Sequence, residues 1–209
     1  CIKKENSFGF FNEHISGGRI FPFSDNKILF STGSYQYMSK AQDKNSIFGK
    51  ILAINLESKN IEIMSMGHRN VQGLYYDKNK NLIWSTEHGP KGGDEVNLNN
   101  LNEKNAEVSN YGWPISSYGE KYSVISDNPT YLKNHSSQGF QEPIFAFVPS
   151  IGVSEIIKLP NSFSNQFIDN FIVSSLWDSS LYRIKFDKDF NKIIFIEKIF
   201  IGQRIRDLK

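Results

Sequence analysis

Gly18-Arg19-Ile20-Phe21-Pro22-Phe23, Ser24-Asp25-Asn26-Lys27 and Ile28-Leu29-Phe30-Ser31-Thr32-Gly33 follow one another as an apolar strand, an Asx-type turn and a second apolar strand. Such a unit is a β-hairpin. The same design returns as Gly73-Leu74-Tyr75-Tyr76, the turn Asp77-Lys78-Asn79-Lys80-Asn81, and Leu82-Ile83-Trp84-Ser85-Thr86, with strand-like stretches at residues 49–56 and 60–65 between the two hairpins. Residues 169–176, 180–186 and 192–196 carry it a third time. A recurrence of roughly 40 to 55 residues is that of a β-propeller blade. No segment shows helical periodicity, and residues 101–110 are too polar to bury a helix face, so the chain is expected to be all-β. Residues 116–141, rich in Ser, Asn, Tyr, Gly and Lys, read as a long inter-strand loop of the kind that shapes a binding mouth.

Composition narrows the function. The chain has 209 residues, of which 39% are hydrophobic and 14% aromatic, enough for one sizeable packed domain. Lys and Arg number 24 against 22 Asp and Glu, a net charge of +2, and no basic run forms the stripe that a phosphate backbone requires. Nucleic acid is therefore a poor partner. No apolar run approaches the roughly 20 residues that cross a bilayer, so a soluble chain is expected. The single cysteine, Cys1, excludes an internal disulfide and leaves the redox compartment open. It is either a lipidated terminus or an accident of where the chain begins. The first residue is not Met, and the last stretch, residues 204–209, falls where another strand pair is expected, so the chain reads as a fragment.

Three polar blocks interrupt the strands: Gly67-His68-Arg69-Asn70-Val71-Gln72-Gly73-Leu74, then Glu87-His88-Gly89-Pro90-Lys91-Gly92-Gly93-Asp94-Glu95-Val96-Asn97, then Asn110-Tyr111-Gly112-Trp113-Pro114. Charged and amide residues at strand ends gain little by burial, which points to a site. Taken alone, each piece has a plain structural reading. His14 would be a strand-edge histidine, Arg69 the partner of an acid, Asn70 a turn residue, Gly89-Pro90 a simple turn, and Arg204-Ile205-Arg206 a solubilised edge.

Together with His14-Ile15-Ser16-Gly17-Gly18-Arg19-Ile20 and Arg204-Ile205-Arg206-Asp207, these blocks resemble, in order and from about residue 13 to residue 207, the glucose/sorbosone dehydrogenase family of soluble quinoprotein aldose dehydrogenases. The resemblance implies a six-bladed β-propeller, of which residues 1–209 would form a single domain supplying roughly four blades. It implies an enzyme that oxidises an aldose at its anomeric carbon to the lactone, with pyrroloquinoline quinone and Ca2+ as cofactors and an external electron acceptor. It implies further that the protein is periplasmic or secreted. His14 matches the general base, and a neutral imidazole suits removal of a hydroxyl proton. Arg69 matches the arginine beside the reactive quinone carbonyl, and Asn70 a cofactor-binding neighbour. Gly89 and Pro90 match the backbone carbonyls that hold calcium, a hard cation that prefers oxygen. Arg204 and Arg206 match an arginine pair that binds the cofactor's carboxylates, side by side on one strand face. Glu95 with Tyr111 resembles a second, structural calcium site of some members, although adjacent acids such as Asp94 and Glu95 more often face solvent.

The family commonly has a lysine where this chain has Trp177, after Ser175-Leu176. An indole stacks on a flat ring but cannot neutralise a carboxylate. That replacement favours a second reading, a non-enzymatic glycan- or protein-binding propeller of the hedgehog-interacting-protein-like type. A lactonase-type hydrolase would need a calcium held by side-chain carboxylates, and the sequence has no acids spaced for it.

Overall fold

The computed structural model describes residues 5–6, 9–10, 14–35, 37–103, 107–122 and 130–209. Cys1 and part of the expected 116–141 loop lie outside the described residues. A two-stranded ribbon, β1 (Glu5–Asn6) with β2 (Gly9–Phe10), precedes three larger sheets. In the first, β3 (Gly17–Ser24), β4 (Lys27–Thr32), β5 (Lys50–Asn55) and β6 (Ile61–Met66) form an antiparallel meander. β7 (Val71–Asp77), β8 (Leu82–Glu87) and β9 (Asp94–Asn100) begin the second, β10 (Ser109–Asn110) returns to run parallel along β6, and β11 (Phe145–Phe147) completes the second sheet against β9. The third is β12 (Val153–Lys158), β13 (Asn170–Ser175), β14 (Ser180–Phe186) and β15 (Ile193–Phe200). Among the described residues the helical elements are three short 3-10 turns, Met38–Gln42, Ser136–Gln138 and Asn165–Phe167.

The three larger sheets are blades, four-stranded except that β10 adds a fifth strand to the first, and β7 packs against β3 on one side and β12 on the other, so the first strands of successive blades lie side by side. This is a partial β-propeller. Its blades are held face to face by two apolar layers. Leu29, Ile51 and Ala53 of the first blade meet Val71, Leu74 and Ile83 of the second. The larger layer centres on Trp84, fully buried, whose ring lies 4.4 Å from Phe171 and 4.8 Å from Phe186. Three aromatic rings in contact across an interface add about 0.5–1.5 kcal/mol per pair beyond their buried area. The expected hairpins are present with turns at residues 25–26 and 78–81.

One correction concerns the C-terminal segment. Residues 201–209 form no strand, and Arg204 and Arg206 are both exposed. The Ile201 and Gly202 amides both donate to the Ser179 carbonyl (3.1 and 3.0 Å), the Ile205 amide donates to the Ser175 carbonyl (3.1 Å) and the Ser154 hydroxyl donates to the Ile205 carbonyl; these tie the segment to blade three without the alternating pattern of a ladder.

The first blade contains an unusual internal cation. Lys50 is fully buried, and its ammonium donates to the carbonyls of Phe48 (2.7 Å), Ala41 (2.9 Å) and Lys40 (3.1 Å). The lysine thereby clasps the Met38–Gln42 turn to β5. Burial pulls its pKa down to about 8, with Asp43 opposing. Lys50→Met keeps the stem and orphans three carbonyls, each at a cost of about 1–3 kcal/mol. Allowing for relaxation, the variant is expected to be less stable by about 2–4 kcal/mol, read as a lower urea midpoint at unchanged m.

Candidate functional site

The polar blocks converge where the first blade meets the second. Glu87 ends β8, and its carboxylate is the local organiser. One oxygen takes hydrogen bonds from His68 Nδ1 (3.0 Å) and Asn97 Nδ2 (2.8 Å), while the other accepts the backbone amides of Arg69 (2.8 Å) and Asn70 (3.4 Å). Burial opposes its ionisation, but His68 and the two amides outweigh that and hold the carboxyl below its ordinary range. His68 is itself fully buried, bonded through Nε2 to the Ser65 hydroxyl (2.8 Å) and stacked on Tyr111 at 4.8 Å, so its role is structural. Hence the backbone of Arg69-Asn70 is fixed from beneath by groups that never reach the surface.

Above it lies a cavity of about 680 Å³, lined by Ile15, Arg69, Asn70, His88, Gly89 and Trp177 among others. The Arg69 guanidinium donates through Nη1 to the carbonyls of His88 (3.0 Å) and Gly89 (2.9 Å) and sits over the Trp113 ring at 5.4 Å. Burial lowers its pKa, yet a guanidinium remains cationic. The loop after β8 turns so tightly that a Cβ on Gly89 would collide with the Gly93 carbonyl. Only glycine fits there.

Asn70 does more than line the wall. Its Oδ1 accepts the Gly17 amide (3.0 Å) and Gln72 Nε2 (3.0 Å), and its Nδ2 faces His88 Nδ1 at 3.4 Å. His88 Nε2 lies 2.6 Å from the Val153 carbonyl, which accepts only, so that nitrogen carries the hydrogen and Nδ1 is the acceptor. Burial pushes the His88 pKa down, Asp94 and the carbonyl oppose, and Arg69 and Arg206 push it further down. The imidazole is accordingly neutral near pH 7. Asp94, on β9, gathers the amides of Ile151 (3.2 Å), Gly152 (2.7 Å) and Val153 (3.0 Å), locking blade three's entry against blade two.

The structure brings Arg69, Asn70 and Gly89 onto one cavity. Pro90 lines a small adjoining cavity with Glu95 and Tyr111. His14 is exposed and directly precedes Ile15, which lines the main cavity with a φ of 63°, an uncommon backbone for a β-branched residue. Arg206 lies instead on a neighbouring groove with Arg19, Gln72 and Asp207, and Arg204 lines neither. Arg19 is that groove's centre, pairing with Glu155 (2.7 Å) and Asp207 (2.8 Å) and donating to the Gln72 and Arg206 carbonyls. Burial raises the Glu155 pKa to about 7 against the pull of Arg19.

Asp94 and Glu95 are both buried rather than solvent-facing, and burial followed by the charge of Glu87 pushes the Glu95 carboxyl well above its ordinary range. The Tyr111 hydroxyl donates to the Leu98 carbonyl (2.7 Å). Among the described residues no group of three or more His, Cys, Asp or Glu is placed to hold a metal ion. Carbonyl oxygens are therefore the oxygen donors at hand, and those of Gly89 and Pro90, which accept from Arg69 Nη1 and from the Gly93 amide (3.3 Å), each keep a second lone pair. The sequence reading set Glu87, His88 and Lys91 in a polar block that points to a site but gave none of them, nor Ser150, a role. The placement of Glu87 and His88 inside one polar block was the available signal.

Arg69, Asn70, His88 and the tight Gly89 loop thus line one cavity of a partial β-propeller. The sequence profile of the glucose/sorbosone dehydrogenase family matches residues 5–209, and the chain belongs to that family. It is 26% identical over 208 residues to the aldose sugar dehydrogenase YliI of Escherichia coli, covering 92% of this chain and 53% of that protein. With a protein of Synechocystis it shares 32% identity over 183 residues, 81% of this chain and 42% of the relative. The chain thus spans about half the length of the curated relatives it matches. The apo crystal structure of the soluble E. coli aldose sugar dehydrogenase superposes with a TM-score of 0.78 at 25% identity, over 95% of this chain and 59% of that one. The PQQ-bound aldose sugar dehydrogenase of Streptomyces coelicolor gives 0.66 at 23%, over 91% and 51%, a likeness of fold.

Proposed function

We propose that this chain forms the site-bearing part of a single propeller domain in a quinoprotein aldose dehydrogenase, which oxidises a sugar at its anomeric carbon to the lactone. The observation that carries this reading is the convergence of Arg69, Asn70 and Gly89 on one cavity, with His14 beside the lining Ile15. That cavity fits a planar, carboxylate-bearing tricycle such as pyrroloquinoline quinone. It is large enough, Arg69 and Lys91 offer cations, Trp177 offers a flat face, and the Ser150 hydroxyl is buried with no hydrogen-bond partner. The residues that would hold the group are Arg69 and Lys91 through charge and Trp177 by stacking, while the Gly89 and Pro90 carbonyls would hold Ca2+. When bound, the quinone supplies a hydride acceptor and calcium polarises its carbonyl.

The protein's own contribution is placement and proton transfer. His14 takes the anomeric hydroxyl proton. Arg69 holds a fixed positive charge beside the reacting oxygen, and Asn70 keeps the His14–Gly17 segment against β7 through the Gly17 amide. Arg206 acts from the adjoining groove, close enough to depress His88, and with Arg204 is the pair proposed to meet the cofactor's carboxylates. We place the protein in the periplasm or outside the cell, as a sugar dehydrogenase passing electrons to an external acceptor. Among the described residues no helix is long and apolar enough to cross a membrane.

A second reading, a propeller that binds glycan or protein without redox chemistry, is favoured by Trp177, which is 79% exposed where a lysine is usual. One experiment separates the two. The intact protein is reconstituted with pyrroloquinoline quinone and Ca2+, and dye reduction is followed over an aldose panel. Turnover is expected, and His14→Ala is expected to lower it by about 10²–10⁴. Absence of quinone binding would favour the binding module, and full turnover by His14→Ala would remove the base assignment.

A further inference from the structure

His88 lines the candidate cavity, yet the chemistry proposed above gives it no role. Both of its ring nitrogens are committed within the wall. Nε2 donates to the Val153 carbonyl of β12 (2.6 Å), which leaves Nδ1 as the acceptor facing Asn70 Nδ2 (3.4 Å). The imidazole therefore turns only ring carbon toward a ligand. Its polar atoms act sideways, from the third blade to the second.

Each end of this connection is held in turn. At blade three, Asp94 Oδ2 gathers the Ile151, Gly152 and Val153 amides (3.2, 2.7 and 3.0 Å), and the Thr86 hydroxyl donates to the Ser154 carbonyl (2.7 Å), so Val153 is fixed against blade two. At the other end, Asn70 Oδ1 accepts both the Gly17 amide and Gln72 Nε2 (3.0 Å each). An amide with two donors on its oxygen and an acceptor at its nitrogen has one orientation, since the reversed group would set NH2 against two donors. Three bonds hold residues 15–17, the stretch that follows His14. The Tyr35 amide donates to the Ile15 carbonyl (3.1 Å) and the Gly33 amide to the Ser16 carbonyl (2.8 Å), both from the chain just after β4. Of the three, the Asn70–Gly17 bond is the one that comes from blade two. Ile15 has a φ of 63°, a backbone that a β-branched residue keeps only where its surroundings over-determine it. Slackening one of the three bonds thus gives the His14 end a direction in which to relax.

We propose that His88 is a positioning residue, which carries the placement of the third blade through Asn70 to the Gly17 amide and so sets His14 relative to the cavity. The inference rests on the aldose reading for the role of His14 as base, while the hydrogen-bond relay is a separate statement about the protein. What the relay demands of residue 88 is one donor toward Val153 and one acceptor toward Asn70. Neither charge nor aromaticity enters. Glutamine supplies the same pair, Nε2 toward Val153 and Oε1 toward Asn70, whereas leucine fills similar space and supplies neither.

The test compares His88→Gln with His88→Leu in the intact protein loaded with pyrroloquinoline quinone and Ca2+. Dye-linked oxidation of the best substrate in an aldose panel gives kcat and KM, and calorimetry gives quinone affinity. His88→Leu is expected to lower kcat about 10²-fold, the effect of displacing a positioned group by about an ångström, with quinone affinity within about threefold of wild type. His88→Gln should keep kcat within about fivefold. In an Asn70→Ala background the leucine substitution should cost no more than about twofold further, because its effect runs through Asn70. Equal losses in the two variants, a leucine variant within about threefold of wild type, full additivity with Asn70→Ala, or quinone affinity falling in step with kcat would each overturn the relay. Nitrogen-15 spectra of the histidine-labelled wild type supply a readout that needs neither a folded leucine variant nor turnover. The His88 hydrogen is expected on Nε2 at pH 7, and a hydrogen fixed on Nδ1 would overturn the relay. A wild type that shows the Nε2 hydrogen but oxidises no aldose would remove the aldose reading and leave the relay in place.

Discussion

Glu87→Ala is expected to lose about 3–5 kcal/mol of folding stability, the penalty for breaking a buried charged network from one side. Four donors converge on this carboxylate: His68 Nδ1, Asn97 Nδ2 and the amides of Arg69 and Asn70. Alanine leaves them inside the protein with nothing to bond. Against a total stability of about 5–15 kcal/mol, the loss is visible as a large fall in urea midpoint. Glu87→Gln should recover part of it, since an amide oxygen accepts two of the four. The same network sets an acid limit. Because the folded carboxyl lies below its unfolded value of 4.5, its stabilisation is complete above that pH and is lost as pH falls through the lower folded value. Urea titrations of the wild type between about pH 6 and 3 should show a steeper decline than Glu87→Gln, whose side chain carries no such proton. Parallel slopes would place the acid sensitivity elsewhere.

That a buried acid anchors the site explains why strands were legible in the sequence and much of the site's support was not. The hairpins announced themselves through local alternation, as in Phe21-Pro22-Phe23 and Ile28-Leu29-Phe30 around an Asx turn, and the ladders β3–β4 and β7–β8 follow them. Asp94-Glu95-Val96-Asn97 carries no such signature, yet it opens a central strand whose polar side chains are buried. The groups that make this burial tolerable are distant in sequence: the Asp94 carboxylate is satisfied by amides 57 to 59 residues further on. Long-range pairing of that kind leaves no local pattern. The structure sets Arg69, Asn70 and Gly89 on one cavity with Pro90 on the next, whereas the strand read at Arg204 and Arg206 from their alternation is absent, because two alternating arginines carry no apolar face to bury. His88 stood in the polar block of residues 87–97 without a role, because its partner, the Val153 carbonyl, lies 65 residues further on.

If the aldose reading holds, Arg69→Ala should lower kcat/KM for dye-linked sugar oxidation by about 10²–10³, the usual effect of removing one fixed donor from a developing oxyanion. Arg69 cannot be replaced by a generic cation, because one guanidinium nitrogen already spans the His88 and Gly89 carbonyls, leaving the rest of the planar group for the cavity. A lysine ammonium is a single point of charge on a flexible stem, so Arg69→Lys should restore less than a tenth of the lost rate. Loss of the guanidinium also releases the Gly89 carbonyl, which gains freedom to face a cation. Ca2+ affinity, read by calorimetry on the quinone-loaded protein, is therefore expected to change little or to rise in Arg69→Ala while turnover collapses. Parallel loss of calcium binding and turnover would mean that Arg69 acts by shaping the loop, and turnover within about threefold of wild type would remove it from the chemistry altogether.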